Sequence, residues 1–283
     1  MILNDNTSEV DMSYKLLALD MDGTLLTSDK RVSPRTRRAL ELLAEQGIPL
    51  AYCTGRNVLE LLDYPAELPF IRYGVLASGA VVHDFAMRDN LEVHALDPDV
   101  LVAAMQVAQA EEHMTHVMAL TKSVVRPDDL RNMPRFGMGV YQGMFEHICT
   151  QENDLVGWVR AHPGEVIKIN FYHANATTRD RTRRRLEESG LPLTLANAEE
   201  GSVECSALGV SKGKGLASLA TLLGIDLADV VAVGDSENDA AALKVAGMPV
   251  AMGNATPGAR QLARMIVADN DHDGIAELID KLF

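Results

Sequence analysis

Residues 16–26 read LLALDMDGTLL, an apolar run of strand character that ends in two carboxylates and a turn. A buried strand would present Asp20 and Asp22 at its C-terminal end, the edge of open parallel α/β sheets where ligands bind. A carboxylate held there can attack phosphorus, and a second acid two residues later can transfer the leaving group's proton. Asp and Gly also favour ordinary turns, so this stretch alone leaves a structural turn open.

Composition narrows the classes of protein to consider. With 283 residues, 47% of them hydrophobic, the chain can bury a large core and is expected to form two domains. The net charge of −14 argues against a nucleic-acid partner, whose phosphates need a basic surface. The first residues show neither the basic n-region nor the apolar h-region of a signal peptide, and no run reaches the roughly 18 apolar residues of a membrane span. We therefore expect a cytoplasmic protein with a flexible segment 1–13 and no membrane partner.

A second strand end repeats the pattern of the first. Residues 48–52 form a short apolar run, and Thr54, Gly55 and Arg56 follow it. The Thr54 hydroxyl and the neighbouring amides could hold phosphate oxygens, as strand-to-helix turns commonly do. Thr54 could equally be a helix cap, and both roles can coexist. Arg56 could contact a ligand or be an ordinary surface residue.

A lysine begins the helix that is predicted after residues 203–206. In the sequence GVSKGKGL, residues 209–216, Ser211 is a natural helix cap and Lys212 lies in the first helical turn. The helix dipole disfavours a cation at that position, so Lys212 suggests an anionic partner such as Asp20 or a phosphate. An exposed lysine on a permissive helix start is the alternative.

The last polar strand end is in the sequence VVAVGDSENDAAAL, residues 230–243. Asp235 follows the apolar run, and Asp239 comes four residues later, so the two can face the same region. Carboxylate oxygens of this kind suit Mg²⁺, which would offset the repulsion between these acids and a phosphate. Asp239 alone could be an acidic helix start, but that interpretation does not account for Asp235.

The middle of the chain predicts an α+β insertion. We place a core domain at 14–83 and 200–283 and a cap domain at 84–199. Residues 126–147 are rich in Met, Gly and Pro and predict a long irregular loop. On a predicted strand, Lys168, Asn170 and Tyr172 alternate on one side, where they could face either a substrate or solvent.

Four motifs together resemble a known family. DMDGTLL, TGR, SKGKGL and GDSENDAAAL occur in the order of the signature motifs of the haloacid dehalogenase-like hydrolases, in their Cof-type phosphatase branch. The resemblance implies an α/β fold, in which a Rossmann-like parallel-sheet core carries an inserted α+β cap. It also implies Mg²⁺-dependent phosphoryl transfer on small phosphorylated metabolites, with sugar phosphates as the expected class.

The resemblance also implies roles for single residues. Asp20 matches the nucleophile and Asp22 the general acid/base, while Thr54 and Lys212 match the groups that stabilise the phosphate and the aspartyl-phosphate. Asp20, the backbone carbonyl of Asp22 and Asp235 match the magnesium ligands, with Asp239 in support.

The substrate contacts and the specificity are less defined by the motifs. Gly55, Arg56 and Asn238 are the predicted substrate-binding residues, and Ser78 stands where the family commonly has Asn. Specificity is expected from the loop 133–144 and the strand near Lys168. A phosphomutase or phosphotransferase on the same core and a non-catalytic sugar-phosphate-binding protein are the alternatives. The sequence does not indicate the oligomeric state.

Overall fold

The structure is a computed structural model that describes residues 14–61, 63–197 and 200–283. The segment 1–13, predicted to be flexible, lies outside these residues. The strands are β1 (Leu16–Leu19), β2 (Leu50–Cys53), β3 (Tyr73–Leu76), β4 (Val81–Asp84), β5 (Asp89–Val93), β6 (Met114–Ala119), β7 (Ser123–Val125), β8 (Cys149–Gln151), β9 (Val166–Tyr172), β10 (Leu193–Ala196), β11 (Ser202–Ala207), β12 (Val230–Gly234), β13 (Met248–Ala251) and β14 (Met265–Ile266).

Helices alternate with these strands along the chain. The α-helices are α1 (Pro34–Glu45), α2 (Tyr64–Glu67), α3 (Pro98–Ala108), α4 (Pro127–Arg131), α5 (Gln142–Ile148), α6 (Leu155–Ala161), α7 (Ala176–Glu188), α8 (Lys212–Leu223), α9 (Ala240–Val245), α10 (Pro257–Leu262) and α11 (Gly274–Leu282). Short 3₁₀ helices are Leu59–Leu61, Ala77–Gly79, Met133–Phe136, Gly139–Tyr141, Leu227–Asp229 and Glu237–Asp239. In the part of the chain that the structure describes, no helix has both the length and the apolar character that a membrane span needs.

The core is built on an eight-stranded sheet with the order β14-β13-β12-β1-β2-β3-β4-β5. Strands β14 to β3 are parallel, and β4 and β5 are added antiparallel. All four residues of β1 are buried because helices cover both faces of the sheet, which explains its unbroken apolar sequence. Leu40 of α1 and Leu278 of α11 pack on one face, and Leu216 of α8 and Leu243 of α9 on the other. The predicted parallel-sheet core is confirmed.

The inserted cap is built on a second sheet, of six strands, with the order β10-β11-β9-β6-β7-β8. Helices α3, α6 and α7 cover one face, where they contribute Leu101, Trp158 and Leu186 to a hydrophobic cluster. Short helices between residues 127 and 148 cover part of the other face. The loop expected at 126–147 is therefore largely helical, because Met133 and its apolar neighbours pack on the sheet instead of facing solvent.

Two strands pair in a different sheet from the one expected from the predicted domain boundaries. Strand β5, residues 89–93, extends the core sheet, although the cap was expected to begin at 84. Strand β11, residues 202–207, pairs with β9 and β10 in the cap sheet, although the core was expected to resume at 200. An apolar run predicts a strand but not its neighbours, since pairing depends on tertiary contacts.

The hairpin predicted at 73–82 is present as β3 and β4, but β5 makes it internal to the sheet instead of an edge. Its turn contains Gly79, whose φ of +98° lies in the left-handed region. A Cβ built on Gly79 would lie 2.0 Å from the carbonyl oxygen of Ser211, the residue that caps helix α8. The glycine thus lets the hairpin turn pack directly on the start of the helix that carries Lys212.

Replacing this glycine tests how tightly the hairpin turn is packed. Gly79→Ala should destabilise the protein by about 3 kcal/mol or more, because the new methyl group adds a backbone clash to the cost of positive φ. Gly47→Ala is the matched control: its φ is +85°, but no atom lies within 4 Å of the new Cβ, so about 1 kcal/mol is expected. Urea unfolding of both variants measures the difference, and equal losses would contradict the close packing.

Candidate active site

Three parallel strands bring the predicted acids and hydroxyl together. Asp20 follows β1, Thr54 follows β2 and Asp235 follows β12, and β1 lies between the other two strands. Because all three strands run in the same direction, their C-terminal ends meet at one edge of the sheet. The site is thus assembled by strand order and not by closeness in sequence.

Lys212 lies beneath this edge and contacts two of the acids. Its Nζ is 2.7 Å from Asp20 Oδ1 and 2.6 Å from Asp239 Oδ1, and the side chain is only 1% exposed. Burial lowers the pKa of Lys212, but the carboxylates of Asp20 and Asp239 outweigh it and raise the pKa well above the usual value. The alternative of an exposed lysine is wrong.

The carboxylates of Asp20, Asp235 and Asp239 form a compact group. One oxygen from each lies within 4.8 Å of the others. Burial, with the charge of Asp239, raises the pKa of Asp20 to about 8, and the same two causes raise the pKa of Asp235 to about 6. A set of crowded, hard carboxylate oxygens fits the coordination preference of Mg²⁺.

Asp239 also shapes the loop that carries Asp235. Its Oδ2 accepts hydrogen bonds from the backbone N–H groups of Asp235, at 3.0 Å, and Ser236, at 3.1 Å. Thr24 Oγ1 donates to Asp235 Oδ1 from the other side. Asp239 is therefore a support for the loop as well as a member of the acid cluster.

Asp22 does not belong to the three-acid cluster and is bound by two cations. Nε and Nη2 of Arg56 each lie 2.8 Å from an oxygen of Asp22, and Lys30 Nζ lies 2.6 Å from Oδ1. Although burial raises the pKa of Asp22, the hydrogen bonds and charges of Arg56 and Lys30 hold it below its usual value. Arg56 is thus not a plain surface residue, and the Asp22 side chain is separate from the candidate metal ligands.

The remaining predicted residues surround one cavity of about 330 Å³. Thr54, Gly55 and Asn238 line it, together with Asp20, Asp22, Arg56 and Asp235. Asn238 Oδ1 lies 3.3 Å from Lys212 Nζ, so it joins the cavity to the buried lysine. Lys212 and Asp239 lie behind the lining and act on the cavity through Asp20 and Asp235.

The cap closes the cavity through a second buried lysine. Lys168 Nζ is 2.8 Å from Glu204 Oε1, on the neighbouring cap strand, and 2.6 Å from the carbonyl oxygen of Gly55 in the core. Ser78, also in the core, donates to Glu204 Oε2 at 2.7 Å. We call Lys168, Glu204, Ser78 and the Gly55 carbonyl the core–cap latch. The hydroxyl of Ser78 thus contacts the cap at the position where the resemblance suggests an amide.

The cap strand β9 presents its polar residues to this interface. Lys168, Asn170 and Tyr172 are no more than 5% exposed, so the alternative that they form a solvent face is wrong. All three line the cavity.

Sequence reasoning missed three charged residues that line the cavity, Lys30, Glu60 and Glu204. Glu204 had a usable signal, because it is a lone charge inside the otherwise apolar and small-residue strand SVECSA. Lys30 lies in an irregular segment after β1, where its spacing from Asp22 carries no periodic signal.

His116 is a buried group next to the cavity wall that the site does not use. It is fully buried, it pairs with Asn170 in the register of β6 and β9, and its ring centroid lies 4.7 Å from that of Phe145. Neither ring nitrogen has a hydrogen-bond partner among the described residues. Burial, with the charge of Lys168, lowers the pKa of His116 to about 3.

Comparison with known proteins gives consistent matches over nearly the whole chain. Residues 17–279 match the haloacid dehalogenase-like hydrolase family. A 5-amino-6-(5-phospho-D-ribitylamino)uracil phosphatase of Bacillus subtilis is 28% identical over 269 residues, which are 95% of this chain and 96% of that protein. A pyridoxal phosphate phosphatase of Escherichia coli is 27% identical over 288 residues, with 95% and 98% covered. The solved structure of a haloacid dehalogenase-like hydrolase from B. subtilis superposes with a TM-score of 0.84 at 26% identity, covering 95% of this chain and all of that one.

The latch predicts a large loss of stability when its cation is removed. Lys168→Met should lower the free energy of unfolding by about 3–5 kcal/mol, because Glu204 is left buried beside an apolar side chain. Adding Glu204→Gln should recover part of that loss. Lys281→Met, which breaks an exposed ion pair with Glu277, is the control and should cost about 0.5 kcal/mol or less. Urea denaturation measures all three, and a Lys168→Met protein as stable as the control would refute the latch.

Because His116 is buried, the free energy of unfolding is expected to fall as the pH is lowered. The folded pKa of about 3 lies below the ordinary value of 6.5, so below pH 6.5 the unfolded chain binds a proton that the folded chain excludes. His116→Leu should therefore be more stable than wild type. The gap should widen with falling pH, approaching about 1.4 kcal/mol per pH unit.

Urea unfolding at pH 7.5 and 5 measures this gap. The exposed His147→Leu variant is the control for the loss of a histidine from the protein surface. A His116→Leu protein whose stability follows that of wild type at both pH values would contradict the prediction.

Proposed function

This chain belongs to the haloacid dehalogenase-like hydrolases, in their Cof-type branch, and is a phosphatase; we propose that it hydrolyses small phosphate monoesters with Mg²⁺ through a phosphorylated Asp20. The observation that carries the proposal is the environment of Asp20. It is a buried carboxylate on the cavity wall, it is held by Lys212, and it is grouped with two further acids. A nucleophile needs a fixed position and a nearby positive charge to stabilise the transferring phosphoryl group.

The proposed first step transfers the phosphoryl group to the protein. An oxygen of Asp20 attacks phosphorus, the ester P–O bond breaks, and the leaving alkoxide takes a proton from Asp22. The Thr54 hydroxyl and the adjacent amides hold phosphoryl oxygens, and Lys212 keeps the attacking carboxylate in place. The products of this step are an alcohol, an aspartyl-phosphate at Asp20 and an ionised Asp22.

The proposed second step regenerates the enzyme. Asp22 removes a proton from water, the water oxygen attacks phosphorus, and the bond to Asp20 breaks to release inorganic phosphate. Arg56 and Lys30 favour an ionised Asp22 in the geometry described above, so they support its role as the base in this step. Asp22 then carries the proton that the next cycle needs.

The acid cluster is the proposed magnesium site. Asp20 and Asp235 would supply carboxylate oxygens, Asp239 would support them, and the backbone carbonyl of Asp22 stays a predicted ligand. A bound Mg²⁺ would neutralise charge on the phosphoryl oxygens. The same charge would offset the repulsion among the three carboxylates themselves.

The relatives widen the range of substrates to test. One is named for a phosphorylated ribitylaminouracil and another for pyridoxal phosphate. Sugar phosphates, predicted from the sequence, therefore remain one class among several small monoesters. The cavity of about 330 Å³ is at the small end of ligand sites, which favours a compact metabolite over a macromolecule.

A phosphate-release assay tests the proposed function. Wild type should release phosphate from p-nitrophenyl phosphate or from small natural monoesters with Mg²⁺, and EDTA should abolish this activity. Asp20→Asn should lower turnover by about 10⁴-fold, because an amide oxygen is a poor nucleophile. The exposed Asp280→Asn serves as the matched control and should retain full activity. Undiminished turnover in EDTA would remove the metal from the proposal, and undiminished turnover of Asp20→Asn would remove the nucleophile.

A further inference from the structure

Glu60 is a carboxylate on the wall of the cavity that the proposed reaction does not use. It lies in the short 3₁₀ helix Leu59–Leu61 and is only 4% exposed. Arg56 Nη1 donates to its backbone carbonyl at 3.1 Å. Because the same guanidinium holds Asp22, Glu60 is a fixed part of the wall and is tied to the reaction centre.

One oxygen of the Glu60 carboxylate has a structural role. Its Oε2 accepts a hydrogen bond from the backbone N–H of Asn57 at 2.9 Å, and the backbone N–H of Glu60 donates to Asn57 Oδ1 at 2.9 Å. A reciprocal pair of this kind caps the start of a helix. The other oxygen, Oε1, accepts no hydrogen bond from any residue that the structure describes.

The free oxygen of Glu60 is open to the cavity. Among the described residues, the fully buried side-chain atoms that lack a partner belong to His116 and Asn170 and not to Glu60. An unpartnered Oε1 that is not fully buried has surface that a ligand can touch, and the cavity is the space that Glu60 lines. Oε1 is therefore an acceptor that a bound substrate can reach.

The charge of Glu60 has no partner either. The other acids on the cavity wall each contact a lysine or arginine or belong to the proposed magnesium site; they are Asp20, Asp22, Glu204 and Asp235. Burial raises the pKa of Glu60, although the backbone of Asn57 and the charge of Lys168 lower it. A buried carboxylate without a cation is costly, and a positively charged ligand would remove that cost.

We propose that the substrate is a phosphate monoester whose leaving group carries an aliphatic primary amine, as in an amino alcohol or amino sugar phosphate, and that the protonated amine binds Glu60 Oε1. This inference rests on the proposed function and names the leaving group for the same site. An ammonium group supplies both the hydrogen bond and the charge that Glu60 lacks, whereas a hydroxyl supplies only the hydrogen bond. Met138, Met144 and Phe145 of the cap offer apolar surface to the carbon chain of the substrate.

Matched pairs of substrates test the amine. In each pair a primary amine replaces one hydroxyl, and the pairs differ in the separation between amine and phosphate. They are 3-aminopropyl and 3-hydroxypropyl phosphate, 5-aminopentyl and 5-hydroxypentyl phosphate, and glucosamine 6-phosphate and glucose 6-phosphate. At pH 7 with Mg²⁺, wild type should prefer the amine in at least one pair by about tenfold in kcat/KM, since a charge-assisted hydrogen bond is stronger than a neutral one.

Glu60→Gln tests the carboxylate. Its amide oxygen can keep the bond to the Asn57 N–H, while an NH₂ group replaces Oε1. The amine-to-hydroxyl ratio of kcat/KM should fall about tenfold in the pair that wild type prefers. The melting temperature should not fall, because the variant buries no unpaired charge.

Two further variants complete the test. Glu67→Gln is the matched control, because Glu67 is exposed and does not line this cavity, and it should leave the amine-to-hydroxyl ratio unchanged. Glu60→Met, which removes the charge with a side chain of similar length, replaces Glu60→Gln if that variant does not fold.

The outcomes separate the two proposals. No preference for the amine in any pair would overturn the amine inference and leave the phosphatase proposal standing. An amine-to-hydroxyl ratio that survives in Glu60→Gln, including an equal loss on both members of a pair, would reduce Glu60 to a helix cap and overturn the inference as well. Absence of Mg²⁺-dependent phosphate release from every compound, p-nitrophenyl phosphate included, would overturn both proposals.

Discussion

The parallel sheet buries several carboxylates at one of its edges, and the rest of the structure depends on a positive charge that compensates theirs. Strands β1 and β12 deliver Asp20 and Asp235 to neighbouring positions, and Asp239 is added by the turn that follows. Carboxylates this close repel one another and are costly to bury. Lys212 meets part of that cost by contacting two of them from below. The first turn of α8, and the hairpin turn that packs on it, are fixed by this requirement.

A second buried ammonium group organises the opposite wall of the cavity. Lys168 belongs to the cap, but one of its hydrogen bonds goes to the carbonyl of Gly55, next to Thr54 in the core. The cap is thus tied to the backbone of the loop that is proposed to hold phosphate. Asn57 of the core also donates to Ser123 of the cap, so the contact between the two parts is polar as well as apolar. The hydrogen bonds that hold the cap on the core therefore also fix the backbone of the loop that is proposed to hold phosphate.

Much of the core and of the site could be predicted from the sequence, and the reason is physical. Each buried strand appears in the sequence as an apolar run. Asp20, Thr54 and Asp235 each follow such a run, so their positions alone predicted them as site residues. Lys212 was predicted because it lies in the first turn of a helix, where the helix dipole disfavours a cation. Lys30 and the sheet of β11 could not be predicted this way, since they depend on which distant segments meet. Residues 126–147 were expected to be irregular because their periodicity is weak, yet most of them fold into α4, two short 3₁₀ helices and α5.

The paths by which the chain crosses between core and cap have a mechanical consequence. The outward crossing runs from the end of β5 at Val93 to the start of α3 at Pro98. The return crossing is equally short, because β11 ends at Ala207 and α8 begins with Lys212 itself. One of the two connections between cap and core therefore ends at Lys212, the residue whose ammonium group contacts Asp20. A rotation of the cap that admits a substrate or releases a product would therefore be coupled, through Lys212, to the position of the Asp20 carboxylate.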